Sequence, residues 1–412
     1  MKKFDFNFKL VLGSQVISLF GGSTLQFAII LFLTRMASDE LFGIIIAISQ
    51  VPLILFTPLG GILADRFNKK VLIVILDTAK AMTCFLLFLT FIFEINSMPV
   101  ITILLFIAMT IMALFTPVLT SALPIIVDED VLVEANGTLA TIGGSAFLVG
   151  SIIASILTPI IGTSNLILIC GFLFCFSVVI DLFIKIPVID QEKMTSMIGD
   201  IKESWRYLKA ENPKILKLSL LFAMIFLLFQ PAIVQISPIV VRLLEGDYFL
   251  VGVANSIAGF GLILGAMLAG KLKKWMRVGL LPNIMLIFGI GSLFLALFLH
   301  PRIVYIGFWL PFLSFSITLA LIMAFIQLVN VMINVIMQKE TPSHLLGKVD
   351  SLFRVVVNIA TPIGIFFFGL ALGAVNGRFD IVFAGVAVIC LILVFLSKIM
   401  FKSVSEVAES KE

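Results

Sequence analysis

Long apolar runs, interrupted by short polar segments, recur from one end of this 412-residue chain to the other. A helix of about 20 apolar residues is long enough to cross the ~30 Å hydrocarbon core of a bilayer. The pattern predicts an all-α membrane protein with twelve transmembrane helices, at residues 10–34, 42–64, 71–93, 99–127, 137–162, 166–188, 214–241, 248–270, 278–299, 303–337, 349–374 and 379–401. The first run is interpreted as a retained span, because it is too long for a signal peptide and lacks a small-residue cleavage site.

The composition agrees with this pattern. Hydrophobic residues make up 61% of the chain and charged residues only 13%, and the mean hydropathy is +1.21. A soluble domain carries about 25% charged residues. Most of the chain is therefore predicted to lie in lipid, with little left for a soluble domain.

Basic residues indicate the orientation of the chain in the membrane. An even number of spans places both termini on the same side, and Lys and Arg accumulate in the loops that stay in the cytoplasm. If the N-terminus is inside, only four of the 28 Lys and Arg residues fall in outer loops, namely Arg35, Arg242, Arg302 and Arg378. Both termini are predicted to be cytoplasmic. The net charge of +4 reflects this bias, and no nucleic-acid partner is expected.

Residues typical of enzyme chemistry are sparse. The four cysteines, Cys84, Cys170, Cys175 and Cys390, all lie inside predicted spans without metal-ligand spacing. The two histidines, at 300 and 344, lie in predicted loops or span ends, and the sequence offers no nucleophile–base pair and no nucleotide-binding loop. We expect no enzyme activity, no metal and no cofactor.

A short polar segment occurs twice. Residues 60–70 read GGILADRFNKK and residues 265–274 read GAMLAGKLKK, each joining the second and third spans of a six-span half. Duplicated six-plus-six architectures are typical of transporters, whose substrate site lies between the halves. The repeat predicts two pseudo-symmetric bundles at 1–188 and 214–401, a linker at 189–213 and a short cytoplasmic tail at 402–412.

Apolar residues in the linker are spaced for a helix. Met197, Ile201, Trp205 and Leu208 recur at i, i+4, i+8 and i+11. This spacing predicts an amphipathic helix on the cytoplasmic membrane surface. Its expected role is a tether between the halves.

The first copy of the repeated segment contains a carboxylate that membrane anchoring does not explain. Two glycines allow helices to approach closely, and the cations anchor the loop to an anionic leaflet. Asp65 is well placed to meet a helix N-terminus, whose partial positive charge would stabilise it. A contact of this kind, made in one conformation and broken in another, predicts a conformational switch at Gly60, Gly61, Asp65, Arg66 and Lys70. The alternative, anchoring alone, explains the cations only.

This segment resembles the signature loop of the major facilitator superfamily. A narrower resemblance is to the drug:proton antiporter group of macrolide-efflux-type exporters, at Gln15-x-x-Ser18-Leu19, at Asp77-x-x-Lys80-Ala81 (with Lys in place of the usual Arg) and at Leu346-Gly347-Lys348-Val349-x-Ser351-Leu352. The resemblance implies rocker-switch transport, with helices one, four, seven and ten around a central cavity. It also implies that Asp65 docks near the start of helix eleven, with Gly61 permitting the contact.

Ionisable residues inside spans are functional candidates. Asp77 and Lys80 are spaced i, i+3, and Asp181 and Lys185 i, i+4, so each pair is predicted to bond on one helix. Two roles stay open: structural ion pairs, or proton handling by Asp77. Span four has no charged residue that could carry a proton. Proton exchange is implied by the resemblance alone, and Asp77 and Asp181 are its candidate carriers inside the spans.

Neutral polar residues on the helices that the family places at the cavity are candidates for substrate contact. Prolines 231 and 238 are expected to kink span seven and to free carbonyl groups. The alternative for each polar residue is a hydrogen bond between helices. The candidates are Gln26, Gln230, Gln235, Gln327, Asn330 and Asn334.

The predicted function is export of a hydrophobic or amphipathic, macrolide-like drug in exchange for protons, by a monomer in the lipid bilayer. The 40 Phe and 16 Met residues suit such a substrate better than a sugar or a small anion. One alternative is export of an endogenous metabolite such as a siderophore or a lipid-like molecule. A non-transporting sensor or scaffold is disfavoured by the short tail, and a channel by the lack of a charged pore.

Overall fold

A computed structural model describes residues 5–95, 97–128, 131–187, 205–210, 212–271 and 281–409, and these contain helices and no β-strand. The helices are α1 (Phe6–Met36), α2 (Asp39–Arg66), α3 (Lys69–Ile92), α4 (Met98–Ile126), α5 and α6 (the parts of Leu132–Phe183 before and after Gly162), α7 (Pro213–Val234), α8 (Tyr248–Lys271), α9 (Leu281–Phe298), α10 (Trp309–Glu340), α11 (Ser343–Ala374) and α12 (Phe379–Glu409).

Within the described ranges, nine helices are long and apolar enough to cross a membrane, and two shorter helices, Met285–Phe298 and Phe379–Phe395, are also apolar. One of the nine, Glu134–Phe183, has 50 residues. At 1.5 Å per residue it is ~75 Å long, over twice the ~30 Å that one crossing needs. It is broken at Gly162, where φ is 81°, beside the predicted gap at 163–165. The helical, multi-span architecture is confirmed, and the number of twelve crossings stays a prediction.

The predicted interruption of span seven is confirmed near Pro238, whereas Pro231 lies inside a continuous helix. The helix α7 ends at Val234, and Gln235 is followed by the short helix Ile236–Pro238 and a π-helical turn, Ile239–Leu243. Because Pro238 has no backbone N–H, it cannot bond the carbonyl of Val234, four residues earlier. Gln235 therefore lies at a break in the helix.

The start of α10 differs from the predicted span, which begins at residue 303. Residues Pro301–Val304 form a separate helical turn, whose first residue is a proline, a favoured residue at that position. The Arg302 N–H donates to Nδ1 of His300, at 3.2 Å, and α10 begins only at Trp309.

The described residues form two compact units. Unit 1 takes its residues from Met1–Ala37, Ile45–Lys193 and Tyr248–Val253, and unit 2 from Ser38–Ile44, Met194–Asp247 and Ala254–Glu412. Most of the predicted linker lies outside the described residues, including Met197 and Ile201. Residues 205–210 are helical, with Leu208 buried and Trp205 exposed.

In unit 1, three helix pairs pack closely at glycines. A Cβ at Gly150 on α5 would lie 2.5 Å from the Cβ of Ser23 on α1. A Cβ at Gly60 on α2 would lie 2.7 Å from the carbonyl oxygen of Leu114 on α4. Gly171 on α6 lies against α3 in the same way. The close pairs are α1 with α5, α2 with α4, and α3 with α6.

The corresponding pairs recur in unit 2. Gly364 on α11 leaves no room for a Cβ beside Leu227 on α7, and Gly265 on α8 leaves none beside Ala324 on α10. A Cβ at Gly289 on α9 would lie 3.2 Å from the Cβ of Cys390 on α12. The fifth helix of each half thus packs on the first, the fourth on the second and the sixth on the third. A duplicated bundle predicts this order of contacts.

Candidate functional site

The predicted ion pair on α3 is present and buried. The Nζ atom of Lys80 lies 2.6 Å from Oδ1 of Asp77, whose side chain is 0% exposed. Nζ also donates to Oγ of Ser18 on α1, at 3.2 Å, and lies 3.4 Å from the ring centroid of Phe115 on α4. A buried charge requires partners of this kind, because the loss of hydration is otherwise not offset.

Asp181 joins the same group of side chains through two serines. Ser14 Oγ on α1 donates to Oδ1 of Asp181 at 2.5 Å and lies 2.8 Å from Oγ of Ser177. Ser177 Oγ donates in turn to Oδ2 of Asp77, at 3.0 Å. We call Ser14, Ser18, Asp77, Lys80, Ser177 and Asp181 the charge cluster.

The predicted pairing of Asp181 with Lys185 is wrong. The helix ends at Phe183, so Lys185 does not occupy the i+4 position of a helical turn. The backbone N–H of Lys185 donates to Oδ1 of Asn7 at 2.8 Å, and Nδ2 of Asn7 donates to the carbonyl oxygen of Lys185 at 2.7 Å. Lys185 is exposed, whereas Asp181 is 1% exposed.

The charge cluster lies next to apolar side chains. Leu76 precedes Asp77 on α3 and belongs, with Phe115, Val11 and Ile184, to one cluster of buried hydrophobic residues. Two acids and one lysine thus lie among residues of α1, α3, α4 and α6 within unit 1. Such an arrangement can hold a structural ion pair, and it can also bind and release a proton.

The sequence predicted the charged members of this cluster and singled out Ser18 in a motif of α1, but it missed Ser14 and Ser177. Ser177 is four residues before Asp181 and therefore shares its helix face, a signal that could have been used. Ser14 comes immediately before Gln15 and has no comparable signal. Its contact with Asp181 spans 167 positions in the sequence and depends on the packing of α1 against α6.

The residues of the predicted switch lie at the end of α2 and the start of α3. Gly60 is in close contact with Leu114, whereas a Cβ at Gly61 would meet no described atom of unit 1 within 4 Å. Asp65 is half-buried and Arg66 is exposed. The Nζ atom of Lys70 donates to the carbonyl oxygen of Leu182, at 2.7 Å.

Lys70 therefore binds the C-terminal end of α6, where the partial negative charge of the helix favours a cation. The N-terminus of α3 is capped by Asn68, whose Oδ1 accepts the backbone N–H groups of Lys70 and Val71. In the second copy of the segment, residues 272–274 lie outside the described residues, as do the side chains of 346–348 in the motif before span eleven.

The polar candidates on α10 bond to one another. Nδ2 of Asn330 donates to Oε1 of Gln327 at 3.4 Å, and Nδ2 of Asn334 donates to Oδ1 and to the backbone oxygen of Asn330, both at 2.9 Å. All three side chains are half-buried. These bonds lie within a single helix, whereas the alternative reading expected bonds between helices.

Gln235 differs from the other polar candidates. It is 1% exposed, and neither Nε2 nor Oε1 has a hydrogen-bond partner within the part of the chain that the structure describes. Gln26 and Gln230 are half-buried. A buried amide group without partners is rare, because it loses its bonds to water without compensation.

Comparison with known proteins assigns the fold to a family. Residues 11–365 match the sequence model of the Major Facilitator Superfamily, most of the chain's length. The chain belongs to this superfamily. The protein is therefore a multi-pass membrane transporter rather than an enzyme.

Among its curated relatives, the transporter is 21% identical over 403 residues to "Macrolide efflux protein A" of Streptococcus pyogenes, covering 96% of this chain and 97% of that protein. It is 24% identical over 330 residues to the "Uncharacterized MFS-type transporter YfiS" of Bacillus subtilis, covering 76% and 74%. The resemblance to this superfamily and to macrolide-efflux-type exporters is confirmed.

Solved structures show the same fold. A bacterial homolog of the human lysosomal transporter Spinster has a TM-score of 0.70 at 16% identity, with 97% of both chains covered. The nucleoside transporter NupG has a TM-score of 0.69 at 17% identity, with 97% of this chain and all of that chain covered. At these identities the likeness establishes the fold of the transporter alone.

Proposed function

We propose that the transporter exports a hydrophobic or amphipathic, macrolide-like compound by rocker-switch alternating access, in exchange for protons. The observation that carries this proposal is the similarity to macrolide efflux protein A, which extends over 96% of the chain. The motifs at Asp65 and at Asp77-x-x-Lys80 support it. The proposed location is the bacterial cytoplasmic membrane, with both termini inside and a monomer as the working form.

The charge cluster supports the proton part of this function. Asp77 and Asp181 are 0% and 1% exposed, and each needs a partner to remain ionised in an apolar interior. Intramembrane acids at such positions commonly belong to proton pathways. Because α4 contains no charged residue, we assign proton handling to Asp77 and Asp181.

Gln235 supports the substrate part. Its amide group is buried at the break after α7 and has both a donor and an acceptor without described partners. A polar group of a bound substrate could bond to these atoms. Leaving a buried polar group unpaired costs ~1–3 kcal/mol, and the substrate would remove this cost. We assign weaker contacts to Gln26, Gln230, Gln327, Asn330 and Asn334, since the three on α10 already use part of their bonding capacity on each other.

The conformational switch is proposed to involve Gly60, Gly61, Asp65, Arg66 and Lys70. Gly60 holds α2 against α4, and Lys70 holds the start of α3 against the end of α6. These contacts fix the backbone on both sides of Asp65. A carboxylate held in this way can meet a helix N-terminus in one conformation and leave it in another.

The test uses everted membrane vesicles with an acidic interior and a reporter of internal pH. Macrolides, dyes, other drugs and siderophores are added one at a time, with Gln235→Leu vesicles as the matched variant. We expect a macrolide to dissipate the gradient, and the variant to need a several-fold higher concentration. Uptake of radiolabelled drug without a pH response would contradict proton exchange, and neither signal with any drug would contradict drug export.

Export of an endogenous metabolite is the second candidate. Proteins with the same fold include a nucleoside transporter, a peptide transporter and a bacterial homologue of an iron transporter, so the fold itself does not select a drug. A response to siderophores alone in the same vesicles would favour this candidate.

A further inference from the structure

Two acids of the charge cluster are connected by an unbroken line of oxygen atoms. The line runs from Asp181 Oδ1 to Ser14 Oγ (2.5 Å), then to Ser177 Oγ (2.8 Å) and to Asp77 Oδ2 (3.0 Å). All four residues are at most 1% exposed. Water therefore does not compete for these contacts in the described structure.

The number of hydrogens on this line depends on the charge of the acids. When both carboxyls are ionised, the only hydrogens are those of the two serine hydroxyls, and they must serve three oxygen–oxygen contacts. Ser177 also has the carbonyl oxygen of Ser14 as an acceptor, at 3.2 Å, which makes the shortage larger. One additional proton on either carboxyl supplies a hydrogen for every contact on the line.

The charges of the cluster require the same single proton. Asp181 and Asp77 bond to the two ends of one Ser14–Ser177 hydroxyl pair, so two negative charges there repel each other. Lys80 is the one cation bonded to the cluster among the described residues. Two carboxylates and one ammonium leave a net charge of −1 in an apolar site. One proton makes the cluster neutral, which avoids the desolvation of an unpaired ion.

Charged groups outside the cluster do not change this count. Packing against it, α1 contributes the hydroxyls of Ser14 and Ser18, and α4 contributes the Phe115 ring and no charged residue. Lys70 on α3 bonds the Leu182 carbonyl oxygen, and Lys185 after α6 is exposed.

We infer that Asp77 and Asp181 share one proton, and that the hydroxyls of Ser14 and Ser177 form the path by which it passes between them. At rest the proton is on Asp181 Oδ1, because Lys80 stabilises an ionised Asp77. Ser14 Oγ donates to an ionised Asp181, and this bond reverses when Asp181 is neutral, so that Oδ1 donates to Ser14 Oγ. The other oxygen of Asp181, Oδ2, has no described hydrogen-bond donor, as suits the carbonyl oxygen of a neutral acid.

The transfer is a concerted shift of three hydrogens. Asp181 Oδ1 gives its hydrogen to Ser14 Oγ, Ser14 gives its own to Ser177 Oγ, and Ser177 gives its own to Asp77 Oδ2. Three O–H bonds break and three form, so Asp181 becomes the carboxylate and both serines remain neutral hydroxyls. The inference deepens the proposed proton exchange, and rests on that proposal only for its role in transport.

Infrared spectra of the purified, ligand-free protein in lipid nanodiscs test the inference. We expect a protonated-carboxyl C=O band that disappears in Asp181→Asn and also in Asp77→Asn, because either change leaves one carboxyl for one ammonium. The double variant Asp77→Asn/Lys80→Met removes that ammonium as well, so Asp181 keeps its proton and the band remains. The exposed Asp128→Asn is the matched control and keeps the band.

Variants of Ser14 test the hydroxyl path in the same experiment. Ser14→Ala removes the hydrogen-bond acceptor of Asp181 and is expected to shift the band to higher frequency, whereas Ser14→Thr retains the hydroxyl and the band position. Absence of a band that responds to Asp181→Asn would overturn the shared proton. A band that persists in Asp77→Asn would assign it to Asp181 alone, and an unshifted band in Ser14→Ala would overturn the hydroxyl path. A correct infrared pattern without pH changes in vesicles would contradict proton exchange and leave the shared proton standing.

Discussion

The two units repeat the same helix contacts but bury different chemistry. In unit 1, the third and sixth helices contain Asp77, Lys80 and Asp181, all joined in one buried cluster. In unit 2, the third helix, α9, has no charged residue from Leu281 to Phe298, and the sixth, α12, has none from 381 to 397. The same helix pairs meet at glycines in both halves, although the glycine of the third pair lies on the sixth helix in unit 1 and on the third helix in unit 2.

The ion pairs that the structure describes in unit 2 lie at helix ends or, for Arg354 and Asp350 on α11, on an exposed part of the helix. Arg242 pairs with Asp39, Lys214 with Glu340 at 2.5 Å, and Arg378 with Asp380 at 2.7 Å. The comparison indicates that the two units share their pairs of closely packed helices and differ in their buried charges. We therefore expect proton handling in the N-terminal half and neutral polar contacts with substrate, led by Gln235, in the C-terminal half.

The largest expected effect is on stability, at the buried pair. Lys80→Met leaves Asp77 at 0% exposure without its ammonium, and removing one partner of a buried pair costs ~3–5 kcal/mol. The measurement is the free energy of unfolding in mixed micelles. The double variant Asp77→Asn/Lys80→Met removes the unpaired charge and should recover most of the loss. Equal losses in the single and double variants would contradict a charge-based explanation.

The next effect tests whether the two halves pack alike. Gly60→Ala and Gly265→Ala each place a Cβ against a backbone carbonyl of the fourth helix of the half, and overpacking of this kind costs ~1–3 kcal/mol. Gly61→Ala is the matched control, since its Cβ meets no described atom of unit 1 within 4 Å. The free energy of unfolding should fall by a similar amount in Gly60→Ala and Gly265→Ala, and by less in Gly61→Ala. A loss at only one of them would show that the packing is not equivalent.

A third effect concerns the repeated loop, where Asp65 in the first copy is replaced by Gly270 in the second. Asp65→Asn retains the shape of the side chain and removes its charge. We expect unchanged protein levels and a turnover reduced about tenfold, equivalent to ~1.4 kcal/mol. The exposed Asp128→Asn should transport normally. Wild-type turnover by Asp65→Asn at matched protein levels would reject the switch.

The smallest effect is expected at an exposed pair in unit 2. Arg354 and Asp350 are bonded at 2.8 Å on α11, with side chains 66% and 31% exposed. Exposed i, i+4 pairs contribute ~0.3–0.5 kcal/mol, so Asp350→Asn should scarcely change the free energy of unfolding. A loss comparable to that of Lys80→Met would remove the distinction between buried and exposed pairs.

Much of the fold could be predicted from the sequence, because apolar runs and repeated glycines report directly on spans and close contacts. The Asp77–Lys80 pair could be predicted from helical spacing alone. The predicted Asp181–Lys185 pair requires an unbroken helix, whereas Pro187 disfavours helical backbone at the residue before it and favours a helix end close by. This signal could have been used. Ser14 was missed because its role depends on which side chains α6 presents to α1, and this is decided by tertiary packing.

The central claim, that the N-terminal half holds the transported proton, is tested most directly by one vesicle measurement. Everted, acid-loaded vesicles receive the macrolide or other compound that dissipates the wild-type pH gradient, and Asp181→Asn on α6 is compared with Asp380→Asn on α12. The account predicts that Asp380→Asn dissipates the gradient like the wild type and that Asp181→Asn does not. A normal pH response from Asp181→Asn at equal protein levels would contradict it.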